Sequence, residues 1–118
     1  MMTTPSTINF EPGAVVRVNM LFTTGAAAKV RPVIVLSDAR YHTSRQDALV
    51  LGVTGSVFAS YFGDCEIVDW KAAGLAKESK AKGVIQTIDR GSVDYQYGKL
   101  TDADWNRIRE SLRLILDL

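Results

Sequence analysis

The residues of this chain best suited to chemistry are cationic, and they fall in two stretches. Between Pro12 and Gln46 stand Arg17, Lys29, Arg31, Arg40 and Arg45, opposed only by Asp38. Between Trp70 and Arg90 stand Lys71, Lys77, Lys80, Lys82 and Arg90, opposed by Glu78 and Asp89. A fold that joins the two stretches makes a basic surface able to hold phosphates. The plain alternative is a set of solvated charges, since lysine and arginine are mostly exposed in any protein. A formal net charge of +1 does not choose between them. Arg31 has the right head group for a phosphate, because its guanidinium offers directed hydrogen bonds in a fork. The hydroxyls of Thr54 and Ser56, on either side of Gly55, are possible phosphate partners. For each the alternative is local: Arg31 as a strand-end surface arginine, Thr54 as a β-favouring residue whose hydroxyl caps a turn.

Other chemistries find less support. His42 is the only histidine, and it follows Tyr41 in a polar connector, where a surface position is expected. Cys65 stands alone, which excludes an internal disulfide and a cysteine-rich zinc site and favours a reducing, cytoplasmic home. It is expected to act as a small buried hydrophobe. No metal or cofactor is expected. Met1 to Ser6 is polar and does not read as a secretory signal. No apolar run approaches the about 20 residues that span a bilayer.

The elements that must position these groups read mostly as strands. Residues 1–118 are expected to form one domain, with residues 1–11 a loose lead-in that ends on the turn Glu11-Pro12-Gly13. Val15 to Phe22 reads as a first strand, and Thr23 to Val30, rich in small residues, as a loop. Arg31 to Asp38 carries the clearest strand signal. Pro32 belongs at its start, since proline donates no ladder hydrogen bond. Val33-Ile34-Val35-Leu36 is continuously apolar, as in a strand buried on both faces. Further strands are expected at Ala48–Thr54, Cys65–Trp70 and Gly83–Asp89, with one helical turn at Lys71–Gly74 closed by glycine. Thr101 is a good N-cap with Asp104 three residues on, and Trp105, Ile108, Leu112 and Ile115 make one apolar helical face. Trp70 and Trp105, with their apolar neighbours, are expected in the core. Tyr61 and Phe62 are expected to be partly buried, although they are also able to stack on bases. About five short antiparallel strands and a terminal helix point to a mostly β (α+β) fold, a small curled sheet or barrel.

From Pro12 to Leu116 the chain resembles the PemK/MazF toxins of type II toxin–antitoxin modules. The resemblance rests on order and spacing: Gly13 before the first strand, Arg31-Pro32 with its apolar run to Ser37, and Val53-Thr54-Gly55. Then follow Glu66-Ile67, Asp69-Trp70, Ala73-Gly74-Leu75, Lys77, Ser79, Thr87-Ile88-Asp89 and Gly98-Lys99-Leu100-Thr101. It implies an SH3-like barrel of the CcdB/PemK/MazF kind. It also implies a homodimer that cuts single-stranded RNA at short sequences without a metal, and a partner antitoxin whose disordered tail occupies the site.

The resemblance places Arg31 at the catalytic centre and pairs it with Thr54. Lys29, Ser56, Lys82 and Gln86 are the expected RNA contacts. Two departures select among family mechanisms. Lys82 stands where some members have an arginine, and Gly83-Val84 supplies no acid. Thr23 to Val30 lacks the histidine that some members carry. The arginine–threonine chemistry therefore fits better than one built on arginine, aspartate and histidine. The alternatives are a gyrase poison of the same fold, which acts by protein contact, and a degenerate barrel that only binds RNA or antitoxin.

Overall fold

The computed structural model describes residues 8–20, 29–58 and 60–118. Six strands form one antiparallel, curled sheet: β1 (Ala14–Met20), β2 (Lys29–Val35), β3 (Asp47–Thr54), β4 (Cys65–Ile67), β5 (Ser79–Asp89) and β6 (Val93–Lys99). Their spatial order is β4-β5-β3-β2-β1-β6. A short helix, α1 (Ala39–Ser44), links β2 to β3, and α2 (Asp102–Leu116) ends the chain. Among the described residues no helix is long and apolar enough to cross a membrane.

The apolar run of β2 behaves as its composition demands. Ile34 joins Val15, Leu51, Ile67 and Ile108 in one core, while Val33 and Val35 join Val16, Val18, Val50 and Ile88 in another. Alternate side chains of one strand thus fill two cores on opposite faces, which requires apolar residues at both parities. Helix α2 lays Trp105, Ile108 and Leu112 onto the first core, and Trp70 also packs there. Thr101 caps α2 by accepting from the Asp104 N–H at 3.3 Å.

Several elements differ from the expectation. Strand β4 stops at Ile67, three residues before Trp70. The next two backbone N–H groups, of Val68 and Asp69, donate to the buried Asp104 carboxylate at 3.0 and 2.8 Å, so they are lost to the ladder. Strand β6 has period-two alternation in Val93-Asp94-Tyr95-Gln96-Tyr97, but it follows β5 through only a 3-10 turn at Arg90–Ser92. The connector 39–46 contains helix α1, started by Asp38, which accepts from the Arg40 N–H at 2.8 Å. The expected loop Thr23–Val30 ends early, since Lys29 and Val30 open β2. Residues 21–28, and the lead-in before residue 8, lie outside the described residues. The expected turn at Lys71–Gly74 is present. Gly74 closes it with φ +87°, and a Cβ there would stand 2.2 Å from the Tyr97 carbonyl oxygen.

Candidate nucleic-acid interface

Strands β2 and β3 pair as Val35↔Val50, Ile34↔Leu51 and Val33↔Gly52, and the ladder then ends. Pro32 is the next residue, and without an N–H it cannot carry the pairing on. Continuing the same register sets Arg31 opposite Thr54. The strands part at this point, and a cleft of about 280 Å³ opens, lined by Arg31, Pro32, Gly52, Thr54, Lys82 and Gln86 among others. Four of the six sequence-nominated residues therefore meet in one place: Arg31, Thr54, Lys82 and Gln86.

The far wall of the cleft depends on a bulge in β5. Leu51 pairs with Ile85 and Val53 with Ala81, so Lys82, Gly83 and Val84 all face the single residue Gly52. Such a bulge re-aims the side chains around it, and both Lys82 and Val84 line the cleft. Lys82 runs over Gly52, its Cδ 3.9 Å from where a Cβ would stand. Asp64 holds the bulge from behind. One carboxylate oxygen accepts from the Gly83 N–H at 2.9 Å, and the other accepts from the Tyr61 N–H at 3.1 Å. Lys80 Nζ lies 2.8 Å from Asp64, both side chains being buried, in ionic contact rather than an aligned hydrogen bond. Burial raises the Asp64 carboxyl, but the contact with Lys80 and the two N–H donors outweigh it and hold it below the usual range. Gly83 is required as glycine here, since a Cβ would come within 2.7 Å of the Gly63 backbone.

The other nominated residues lie elsewhere. Ser56 does not line the cleft; its N–H donates to Thr54 Oγ1 at 3.1 Å, so it orients the threonine through the backbone. Lys29 opens β2, and its side chain lies outside the described residues. His42 is buried, against the expectation of a surface position. Its Nδ1 lies 3.0 Å from the Phe10 carbonyl, an acceptor, so Nδ1 carries a proton, and Nε2 is hydrogen-bonded with Ser37 Oγ at 2.7 Å. The ring is consumed by this network and does not line the cleft. Tyr61 and Phe62 are exposed rather than partly buried. Cys65 is half-buried beside the first core.

Hydrogen bonds and ion pairs sort the basic residues. Arg17 pairs with Asp94, Arg40 with Asp38, Lys80 with Asp64 and Lys99 with Glu11. Arg90 donates to the carbonyls of His42 and Arg45 at the end of α1. Among the described residues, Arg31, Lys77 and Lys82 have no carboxylate partner, and all three gather around Val53-Thr54. Lys77 was not nominated as a contact from the sequence. It lines a second cleft of about 240 Å³, with Val30, Arg31, Thr54, Gly55 and Tyr97.

A family model described as the PemK-like, MazF-like toxin of type II toxin–antitoxin systems matches residues 11–116. The chain belongs to this toxin family. Solved structures agree in fold with the PemK/MazF assignment. The chain is similar to the MazE–MazF structure from Deinococcus radiodurans, with a TM-score of 0.75 at 19% identity over 92% of this chain and 96% of that one. It is also similar to an endoribonuclease in complex with its cognate antitoxin from a mycobacterial species (TM-score 0.71, 18% identity, 92% and 93% covered). A third is the Mycobacterium tuberculosis toxin MazF-mt6 (TM-score 0.71, 19% identity, 89% and 97% covered). No curated protein matches the chain by sequence. The PemK/MazF resemblance read from the order of motifs is thus confirmed, as is the mostly β, curled-sheet fold with its terminal helix. The sheet has six strands where about five were expected.

Proposed function

We propose that this toxin is a metal-independent, sequence-specific endoribonuclease that cuts single-stranded RNA, acts in the cytoplasm, and is silenced by a cognate antitoxin. The observation that carries the reading is the meeting of Arg31 and Thr54 at the mouth of one cleft with Lys82 and Gln86. The cleft offers a phosphate cationic, hydroxyl and amide groups. In the proposed reaction the RNA 2′-oxygen attacks phosphorus and the 5′-oxygen leaves. The proton lost by the former is regained by the latter, and the products are a 2′,3′-cyclic phosphate and a 5′-hydroxyl. Arg31 stabilises the charge that grows on the phosphorane oxygens. Thr54, oriented by the Ser56 N–H, holds the phosphate or the 2′-oxygen in line. Lys82 supplies charge without the bidentate geometry of an arginine. Gln86, on the same cleft, meets a base edge.

Family membership and the neighbours' descriptions as endoribonuclease and antitoxin complex support the same reading, including an antitoxin partner. The working form is proposed to be a homodimer. The test is to incubate the purified protein with a long single-stranded RNA in EDTA. Discrete fragments with 5′-hydroxyl ends, lost in Arg31→Ala and Thr54→Ala, are expected. Intact RNA together with inhibited DNA gyrase overturns the reading in favour of a toxin that acts by protein contact.

A further inference from the structure

The second cleft adjoins the first and shares a wall with it. Arg31, Pro32, Val53 and Thr54 line both. The two clefts are also built alike. Glycines flank Val53-Thr54, and each is overlain by a lysine from another element. Lys82 crosses Gly52 in the first cleft, and Lys77 crosses Gly55 in the second, with Nζ 2.9 Å from where a Gly55 Cβ would stand. Any side chain at Gly55 would push Lys77 off this position. The Lys77 backbone is tied down, since its carbonyl accepts from the buried Ser79 hydroxyl at 2.8 Å. Across the cleft stands the half-buried ring of Tyr97, fixed edge-to-face with Tyr95 at 5.3 Å between centroids. Both clefts are smaller than the ~300–1,000 Å³ of small-molecule pockets, a size suited to one base with its sugar.

A polynucleotide whose reacting phosphate lies on Arg31 and Thr54 must pass one neighbour to each side. We infer that the second cleft is a nucleotide subsite, which takes the unit on the opposite flank of the reacting phosphate from the Lys82 cleft. Lys77 contacts the flanking phosphate, and Tyr97 stacks on the base. Stacking tolerates any base, while the charge on Lys77 adds affinity that falls with salt. This inference rests on the nuclease reading for its position, but it makes a separate claim about binding.

The experiment measures binding of labelled single-stranded RNA that carries a 2′-deoxy sugar at the mapped cleavage position, over a series of salt concentrations. Lys77→Ala is expected to weaken binding several-fold and to lower the slope of log affinity against log salt by about 0.7. Lys77→Arg restores both. The effect disappears when nucleotides are trimmed from one flank and persists when they are trimmed from the other. Lys82→Ala shows the opposite dependence. Tyr97→Leu weakens binding roughly five- to tenfold, and Tyr97→Phe does not. Lys77 is exposed, so its variants test the claim even if Tyr97→Leu fails to fold. Unchanged affinity and slope in Lys77→Ala, or a loss insensitive to which flank is trimmed, overturns the inference and leaves the nuclease reading intact. Should the wild type cut no RNA, a short random-sequence RNA serves as probe; a Lys77-dependent slope then supports the binding site while the nuclease reading fails.

Discussion

The two ends of strand β2 treat their polar groups in opposite ways. At the Ser37 end the polar side chains are bound into a network. Phe10 carbonyl, His42, Ser37 hydroxyl and the Leu49 N–H form one chain of hydrogen bonds, and Asp38 caps α1 while holding Arg40. At the Arg31 end the ladder is cut short by Pro32, and the cations around Thr54 have no carboxylate among the described residues. The satisfied end keeps the fold together. The unsatisfied end holds charge ready for an anion, which is the arrangement a phosphate site needs. The Asp64–Lys80 pair behind the cleft follows the rule of the satisfied end, although it serves the other.

This contrast can be broken by experiment. The largest effect is expected from Asp64→Ala, which strands the buried Lys80 ammonium and frees the Gly83 N–H. About 3–5 kcal/mol of stability should be lost, read from the urea midpoint. Next comes Arg31→Ala. Its cleavage rate should fall on the order of 10²- to 10³-fold, while the melting temperature stays near that of the wild type, since no partner is left unsatisfied. A large loss of stability in this variant would abolish the distinction between the ends. His42→Ala should show the reverse pattern. It leaves the Phe10 carbonyl without its donor and the Ser37 hydroxyl with only the Leu49 N–H, at a cost of about 2 kcal/mol, with cleavage per folded molecule unchanged.

The smallest effect concerns pH at the satisfied end. The Arg40 guanidinium, and then its backbone N–H, lower the Asp38 carboxyl from 3.8 to about 2. A depressed carboxyl stabilises the fold above its ordinary pKa, and that contribution is lost as pH falls through the lowered one. The melting-temperature advantage of the wild type over Asp38→Asn should therefore be constant near neutrality, shrink as pH falls below about 4 and vanish only below about pH 2. A difference that persists undiminished below about pH 2 would assign it to the cap alone.

Much of the fold was legible because local pattern and tertiary role agree. Val33–Leu36 is apolar at both parities because both faces of β2 are covered, and Thr101 with Asp104 announces the start of α2. What escaped the pattern was decided by distant partners. β4 is short because Asp104, more than thirty residues away, takes its next two N–H groups. His42 sits in a polar segment, yet the Phe10 carbonyl and Ser37 hydroxyl draw it inside. β6 follows β5 through only the three residues Arg90–Ser92.

The candidate site divides along the same line. Arg31-Pro32 ahead of an apolar run, and Thr54-Gly55 at a strand exit, are local features, and sequence by itself determines that a cation and a hydroxyl stand at strand ends. Only the tertiary structure decides which charges are available there. Arg17 and Lys80 are held by carboxylates distant along the chain, Asp94 and Asp64, and the bulge at Lys82–Val84 is set by a buried aspartate. That leaves Arg31, Lys77 and Lys82 around Thr54, gathered by strand pairing across the sheet that no local window of residues contains.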